Sequence, residues 1–274
     1  MNEYKEIERE LITKYRKRIW RKFVKAICDY DMISDGDKIA VCISGGKDSM
    51  LMAKCFQELK RHGKKSFELV FLVMNPGYNE INMKKIEENA KFLDIPITVF
   101  NTTIFESAER LEVHPCYICA RRRRGYLYEE AKKHNCNKIA LGHHFDDVIE
   151  TVLLGMFYGA QFQTMMPKLK STSHPGMELI RPMYYIKEED IIIWKNSYNL
   201  EFIACACRLT EALANPEGSD LTSKRYEVKC LIKELRKKYE NIDINIMRST
   251  ENVNLRTLIS YEDGKNKTHF LDTY

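Results

Sequence analysis

The stretch Lys38-Ile39-Ala40-Val41-Cys42-Ile43-Ser44-Gly45-Gly46-Lys47-Asp48-Ser49 decides the fold. Its first six residues form a short, nearly all-apolar run. Such a run predicts a strand buried on both faces, as in the middle of a parallel sheet. The next six supply a turn and open a helix expected over about 48–61. Two glycines let the backbone turn tightly and bring N–H groups close to an anion. The helix N-terminus adds the positive end of a dipole. Ser44 and Ser49 offer hydroxyl donors, and Lys47 supplies a compact positive charge. Asp48 would by itself repel a phosphate, which points to a divalent metal beside it. The spacing is not that of a Walker A loop, and it is not the dinucleotide fingerprint. The bland alternative is an ordinary glycine turn between strand and helix.

Working outward, the strand–helix alternation repeats. Strands are predicted at 67–74, 97–100 and 138–141, and helices at 80–93, 121–134 and 146–158. This alternation argues for a doubly wound α/β, mostly parallel sheet. Before it, apolar residues at helical spacing (Ile7, Leu11, Ile19, Trp20, Phe23, Val24, Ile27) predict a helix over 4–28. Beyond Gly159 the pattern changes. Residues 161–182 read as loop or hairpin around His174-Pro175-Gly176, and helices are expected near 187–198, 222–239 and 244–256. The expected organisation is an N-terminal basic helical arm over 1–35 and a catalytic domain over 36–274. Residues from about 160 would form a C-terminal helical extension.

The 274 residues are 44% hydrophobic, enough for a substantial core, and the formal net charge is only +5. The positive charge is concentrated. Seven basic residues and no acid lie between Lys14 and Lys25, Arg121 to Arg124 form a second run, and Lys233 to Lys238 a third. A charge run is usually a solvated helix face. Dense basic residues on one helix also supply phosphate contacts to a nucleic acid, which is the reading favoured here. The polar N-terminus has no apolar leader, and no apolar run is long enough to span a bilayer, so a cytoplasmic protein is expected.

In a reducing cytoplasm, spaced cysteines point to a metal or to catalysis rather than to disulfides. Cys116 and Cys119 form a CxxC that can bind one metal or cluster, and Cys205 and Cys207 provide a distant third ligand and a fourth. Four would suit a structural zinc; three would suit an iron–sulfur cluster with one open iron. Cys28, Cys42, Cys55, Cys136 and Cys230 fall in helix or strand patterns and read as core residues. Gly142-His143-His144-Phe145-Asp146-Asp147 sits at the C-terminal end of a predicted strand, the edge at which open α/β sheets bind ligands. Asp146 and Asp147 would hold Mg²⁺ or move a proton there, or else cap the following helix.

The loop Ser44–Ser49 matches SGGxDS, the phosphate loop of the PP-loop ATP pyrophosphatases. Taken with Asn75-Pro76-Gly77-Tyr78, the CxxC followed by Ala120-Arg121-Arg122-Arg123-Arg124-Gly125, the Leu141–Asp147 segment, Met156-Phe157-Tyr158-Gly159, Pro167-Lys168-Leu169, Ile180-Arg181-Pro182 and Phe202-Ile203-Ala204-Cys205, the chain resembles the TtcA family of tRNA 2-thiocytidine synthetases over about residues 20–253.

The resemblance implies an adenine nucleotide alpha hydrolase-like fold that binds ATP, Mg²⁺ and a [4Fe–4S] cluster. It implies a homodimer that thiolates an anticodon-loop cytidine of tRNA with sulfur from a donor such as a cysteine desulfurase. Carried over residue by residue, Cys116, Cys119 and Cys205 are cluster ligands. Ser44, Gly45, Gly46, Lys47, Asp48, Ser49, Met74 and Gly142 bind nucleotide, and Lys47, Asp48, Asp146 and Asp147 are catalytic. Three features depart from the family pattern. Ala204 precedes the third cysteine where a Pro is usual, and Phe145 stands where Arg is frequent. The next cysteine is Cys207, two positions on where the family has one three positions on, so that Cys207 stands beside Cys205 as the alternative third ligand.

Three rival readings fit parts of the sequence. A lysidine-synthetase-like ligase would need no cysteine triad. A non-catalytic, zinc-stabilised tRNA-binding protein would need no intact phosphate loop. A thiouridine synthetase with terminal zinc fingers would need CxxC pairs near the termini.

Overall fold

The computed structural model describes residues 3–102, 115–203, 224–264, 266–272 and 274. The chain divides into two compact units, Met1–Asp147 with Met166–Leu221, and Val148–Met165 with Thr222–Tyr274.

The first unit is built on a six-stranded sheet. Its strands are β1 (Lys38–Ile43), β2 (Glu68–Asn75), β3 (Ile97–Asn101), β4 (Lys138–Ala140), β5 (Lys168–Lys170) and β6 (Glu178–Ile180), in the order β3-β2-β1-β4-β6-β5. All pairings are parallel except β5 with β6. The sheet is doubly wound and mostly parallel, as the alternation implied. β6 extends it from within the segment expected as a hairpin. Its three residues are too few to show a periodicity of their own.

From β1 the chain runs through α3 (Lys47–His62) to β2 on one side, then through α4 (Glu80–Phe92) to β3. It returns through α5 (Pro115–Lys133) to β4 on the other side of β1. Right-handed crossovers travelling in opposite directions put their helices on opposite faces. Ala40, Cys42, Leu72, Met74 and Ile139 accordingly pack against Leu127, Tyr128 and Ala131 of α5. Ile39, Val41 and Ile43 alternate to the face that α3 covers. The strand order therefore reverses between β1 and β4, and their C-terminal ends flank the crevice where such sheets bind ligands.

The N-terminal segment folds as α1 (Glu3–Ile12), a π-helical turn at Arg16–Trp20 and α2 (Arg21–Asp29). A single helix over 4–28 was expected. The break is at Tyr15, whose carbonyl accepts the N–H groups of both Ile19 and Trp20. The widened turn still buries Ile19, so apolar periodicity alone does not reveal it. Inside the core, Lys54 Nζ lies 2.6 Å from Glu8 Oε1 and donates to the Leu93 carbonyl at 2.7 Å, tying α1 to α3. Part of the first basic run is likewise structural. Arg18 and Lys22 each reach a carboxylate oxygen of buried Asp190 at 2.8 Å, on α7 (Glu188–Ser197).

At the opposite edge of the sheet from the crevice, Lys138 Nζ sits 2.7 Å from Asp37 and 3.3 Å from Glu178, and donates to the Met32 carbonyl. Asn137 donates to Asp37 and accepts the N–H of Lys38.

The second unit contains most of α6 (Phe145–Tyr158), α8 (Lys224–Lys238), α9 (Ile242–Ser249) and a hairpin of β7 (Ser260–Asp263) and β8 (Asn266–His269). Arg225 pairs with Glu150 at 2.9 Å, and Tyr158 donates to Glu227 at 2.6 Å. The hairpin was not expected, since Ser260–Asp263 and Asn266–His269 are polar strands with almost no apolar alternation. Among the described residues, no helix is long and apolar enough to cross a membrane.

Candidate active site

The phosphate loop leaves β1 and opens α3 as anticipated. Gly45 has φ +83°, and a Cβ there would stand 2.6 Å from Ile86 Cγ1 and 2.8 Å from Ile203 Cδ1. Only glycine meets both conditions without strain. Ser49 Oγ is the hub of the loop. It donates to the Gly46 carbonyl at 3.0 Å, accepts the Ser44 N–H at 3.1 Å, and lies 3.2 Å from Ser44 Oγ. Gly46 is the N-cap of α3 and no side chain caps it, so the first-turn N–H groups remain directed at the crevice.

Gly142 closes the site from β4. A Cβ there would lie 3.2 Å from the backbone nitrogen of Ser49 and 3.3 Å from the Asp48 carbonyl carbon, so the β4 loop packs directly on the first turn of α3. Met74 ends β2 beside β1, but its side chain belongs to the core under α5. What Met74 presents to the crevice is backbone.

Around this frame the structure gathers six ionisable side chains. Lys47 Nζ is 3.2 Å from Asp48 Oδ1 and 3.3 Å from Glu188 Oε1. His144, 6% exposed, has Nε2 3.9 Å from Asp48 and Nδ1 3.5 Å from Asp147 and 3.9 Å from Asp146. Asp147 Oδ2 accepts the His144 backbone N–H at 3.0 Å, half of a capping box at the start of α6. Asp146 Oδ2 accepts the Glu188 N–H at 2.7 Å and so caps α7. Each aspartate thus uses one oxygen for capping, the bland reading. Both also face His144, whose Nε2 lies 3.9 Å from Asp48 of the phosphate loop.

Sequence reasoning missed Glu188 and left His144 outside the candidate site. Glu188 belongs to an acidic run that reads as an ordinary helix start, and only the fold brings it to Lys47.

The cluster carries an excess of carboxylate over positive charge. Asp48 Oδ1 is buried and accepts no hydrogen bond. A buried acceptor of this kind, among oxygen donors and next to a phosphate loop, fits a hard divalent cation. Among the described residues, no three His, Cys, Asp or Glu side chains are arranged to hold an ion by themselves. Mg²⁺ needs only one or two carboxylates when waters and phosphate oxygens complete its shell.

Cys116 and Cys119 lie in the first turns of α5, which starts six residues earlier than predicted. Cys205 and Cys207 lie outside the described residues. Cys42, Cys55 and Cys136 are buried as expected, and burial pushes the Cys42 and Cys55 thiols up and raises Cys136 to about 11. Cys28 and Cys230, expected in the core, are exposed: the helical pattern around each places its neighbours inward and leaves the sulfur outside.

The family model for the PP-loop domain matches residues 14–207. A tRNA-cytidine(32) 2-sulfurtransferase from Paraburkholderia xenovorans (strain LB400) is 36% identical over 243 residues, covering 86% of this chain and 68% of that protein. The chain belongs to the TtcA family. A second tRNA-cytidine(32) 2-sulfurtransferase, from Geotalea uraniireducens (strain Rf4), is 33% identical to this TtcA-family chain over 92% of its length and 96% of that protein. Among solved structures, the fold is similar to the U34-tRNA thiolase NcsA from Methanococcus maripaludis with its [4Fe-4S] cluster. The TM-score is 0.64 at 20% identity, covering 84% of this chain and 76% of that one. The PP-loop match and the loop geometry together make this TtcA-family chain an ATP-binding protein.

Proposed function

We propose that this chain is an ATP-dependent tRNA sulfurtransferase that activates a nucleobase carbonyl, C2 of an anticodon-loop cytidine, as its adenylate and replaces the oxygen with sulfur. The observation that carries the reading is the convergence of Lys47, Asp48, His144, Asp146, Asp147 and Glu188 on the phosphate loop at the switch point of the sheet. The names of the relatives supply the tRNA and the cytidine.

The carbonyl oxygen of the base attacks the α-phosphorus of ATP, the bond to the β-phosphate breaks, and pyrophosphate leaves. Lys47, the Ser44 hydroxyl and the first-turn N–H groups of α3 neutralise charge on the leaving phosphates. Asp48 would hold Mg²⁺, with Asp146 and Asp147 in reserve on the β4 side, and the ion would supply charge neutralisation for the phosphates. Ser49 holds the loop in its open curve, and the backbone at Met74 and Gly142 borders the space for adenine and ribose. Sulfide then adds at the activated carbon and AMP departs.

Cys116, Cys119 and Cys205 would hold a [4Fe–4S] cluster, which supplies an open iron able to bind sulfide. Three thiolates leave that position vacant, whereas a structural zinc closes its shell. The sulfur is expected from a cysteine desulfurase or similar donor, and the working unit is expected to be a homodimer.

The test is tRNA-dependent release of pyrophosphate and AMP from labelled ATP. Release that needs tRNA supports the reading. ATP consumption to ADP, or none with any tRNA, overturns it.

A further inference from the structure

Arg181 follows β6 at the same sheet edge as the active site, where the Leu141 N–H donates to the Ile180 carbonyl at 3.0 Å. The side chain is 7% exposed. Nη1 donates to the Met166 carbonyl, and Nε is buried with no acceptor. Among the described residues no carboxylate comes within ion-pair distance of the guanidinium. A guanidinium stays charged at any physiological pH, and a buried charge without a counter-ion is costly. The groups that face it are Arg124 of α5, which repels it, and Asp147, Tyr128 and Tyr184, which attract it; burial and Arg124 together bring its pKa down to about 10. The place is built for a negative group that arrives from outside.

We propose that Arg181 and Arg124 form an oxyanion site that receives a phosphate of the RNA substrate beside the nucleotide being modified. The inference rests on the proposed function and deepens it. A paired guanidinium fork suits a phosphate oxyanion better than a point charge would. The phosphate belongs to the RNA and not to ATP because β6 lies two strands from β1, about 10 Å across the sheet, while the triphosphate is bound at the β1 loop. Arg124 is five residues beyond Cys119 on the same helix, about 7.5 Å along its axis. A backbone phosphate held here therefore lies within about 10 Å of both the phosphate-loop strand and the cysteine-bearing turn of α5, as a nucleotide flanking the target base would.

The experiment compares wild type with R181Q and R124Q. It measures tRNA KM and kcat, ATP affinity, the salt dependence of tRNA binding and thermal stability with and without inorganic phosphate. Loss of one charge-assisted contact should raise tRNA KM about tenfold in each variant while ATP affinity holds. The slope of log Kd against log salt should fall by about 0.7 to 0.9. R181Q should keep or gain thermal stability, since it removes an uncompensated buried charge, and phosphate should stabilise wild type but not R181Q.

If ATP affinity falls while tRNA KM holds, the anion belongs to the nucleotide and the RNA assignment is overturned. If R181Q only lowers the melting temperature, Arg181 merely clamps the Met166 carbonyl and the proposal fails. Unchanged tRNA parameters in an active wild-type background overturn it as well. Absence of tRNA-dependent turnover in wild type would instead overturn the proposed function.

Discussion

Lys47 Nζ lies 3.3 Å from Glu188 Oε1, a contact that joins the phosphate loop to the first turn of α7 across 141 residues of chain. Both side chains are about four-fifths buried. The lysine meant for phosphate is therefore already charge-matched, and triphosphate must take it from Glu188.

Removing that competitor should help the nucleotide. Glu188→Gln should tighten ATP binding measured without Mg²⁺ by a factor of about three to five, the scale of a partly exposed ion pair. Titration calorimetry checks this. Weaker binding would mean that Glu188 contributes to the site rather than competing for Lys47.

Asp48 makes the opposite case. Its Oδ1 is buried without a hydrogen bond, so Asp48→Ala removes only the contact with Lys47, the 3.9 Å approach of His144 and one acid from the first turn of α3. The melting temperature should move by no more than about 2 °C, while tRNA-dependent pyrophosphate release is abolished. Wild-type turnover in this variant would take the loop out of the mechanism.

The two close glycines should fail differently. Gly45→Ala combines a left-handed φ with a 2.6 Å clash against Ile86, and should cost about 2 kcal/mol or more of stability. Gly142→Ala meets only the α3 backbone at 3.2–3.3 Å. It should shift the first turn of α3 and weaken ATP binding with a smaller loss of stability. Paired melts and ATP titrations separate the two.

These cases show what could be read from sequence and what could not. The phosphate loop, the strands β1 to β4 and the helices between them carry strong local signals, because buried parallel strands are continuous apolar runs and the glycine loop has few other uses. Met74 and Gly142 were legible only through the family resemblance, which places their segments beside the nucleotide. Glu188 and Arg181 were not singled out as site residues, since Glu188 opens α7 and Arg181 follows the three-residue β6, and the positions of both depend on pairings far along the chain. β6 enters the sheet only because β4 offers it an edge. The π turn at Arg16–Trp20 leaves the apolar spacing almost unchanged. Arg18 and Lys22 look like free charges until the fold brings Asp190 to them.

Stability should fall in acid for an identifiable reason. Burial opposes the charged form of Asp37, but Lys138, Asn137 and the Ser34 N–H hold its carboxyl below the usual carboxylate range. A depressed folded-state pKa gives stability that is present above the unfolded value of about 3.9 and is lost as pH falls through the folded one. Asp37→Asn should remove that acid-side dependence. At neutral pH it should cost about 3 kcal/mol, because Lys138 loses its nearest counter-ion while buried. Urea melts from pH 3 to 7 check both points.

The cysteines predict colour. Anaerobically purified protein should be brown with about four irons per chain. Cys116→Ser, Cys119→Ser or Cys205→Ser should each bleach it, and Cys207→Ser should be milder. One tightly held zinc bound through all four cysteines, in active protein, would contradict the open-iron reading.

The most direct measurement is mass spectrometry of nucleosides from tRNA incubated with cluster-loaded protein, ATP, Mg²⁺ and sulfide. The expected product is a cytidine in which one oxygen is exchanged for one sulfur, formed only when ATP is present and absent with Asp48→Ala. Unmodified tRNA from protein that carries its cluster and binds ATP, or sulfur incorporation without ATP, would contradict it.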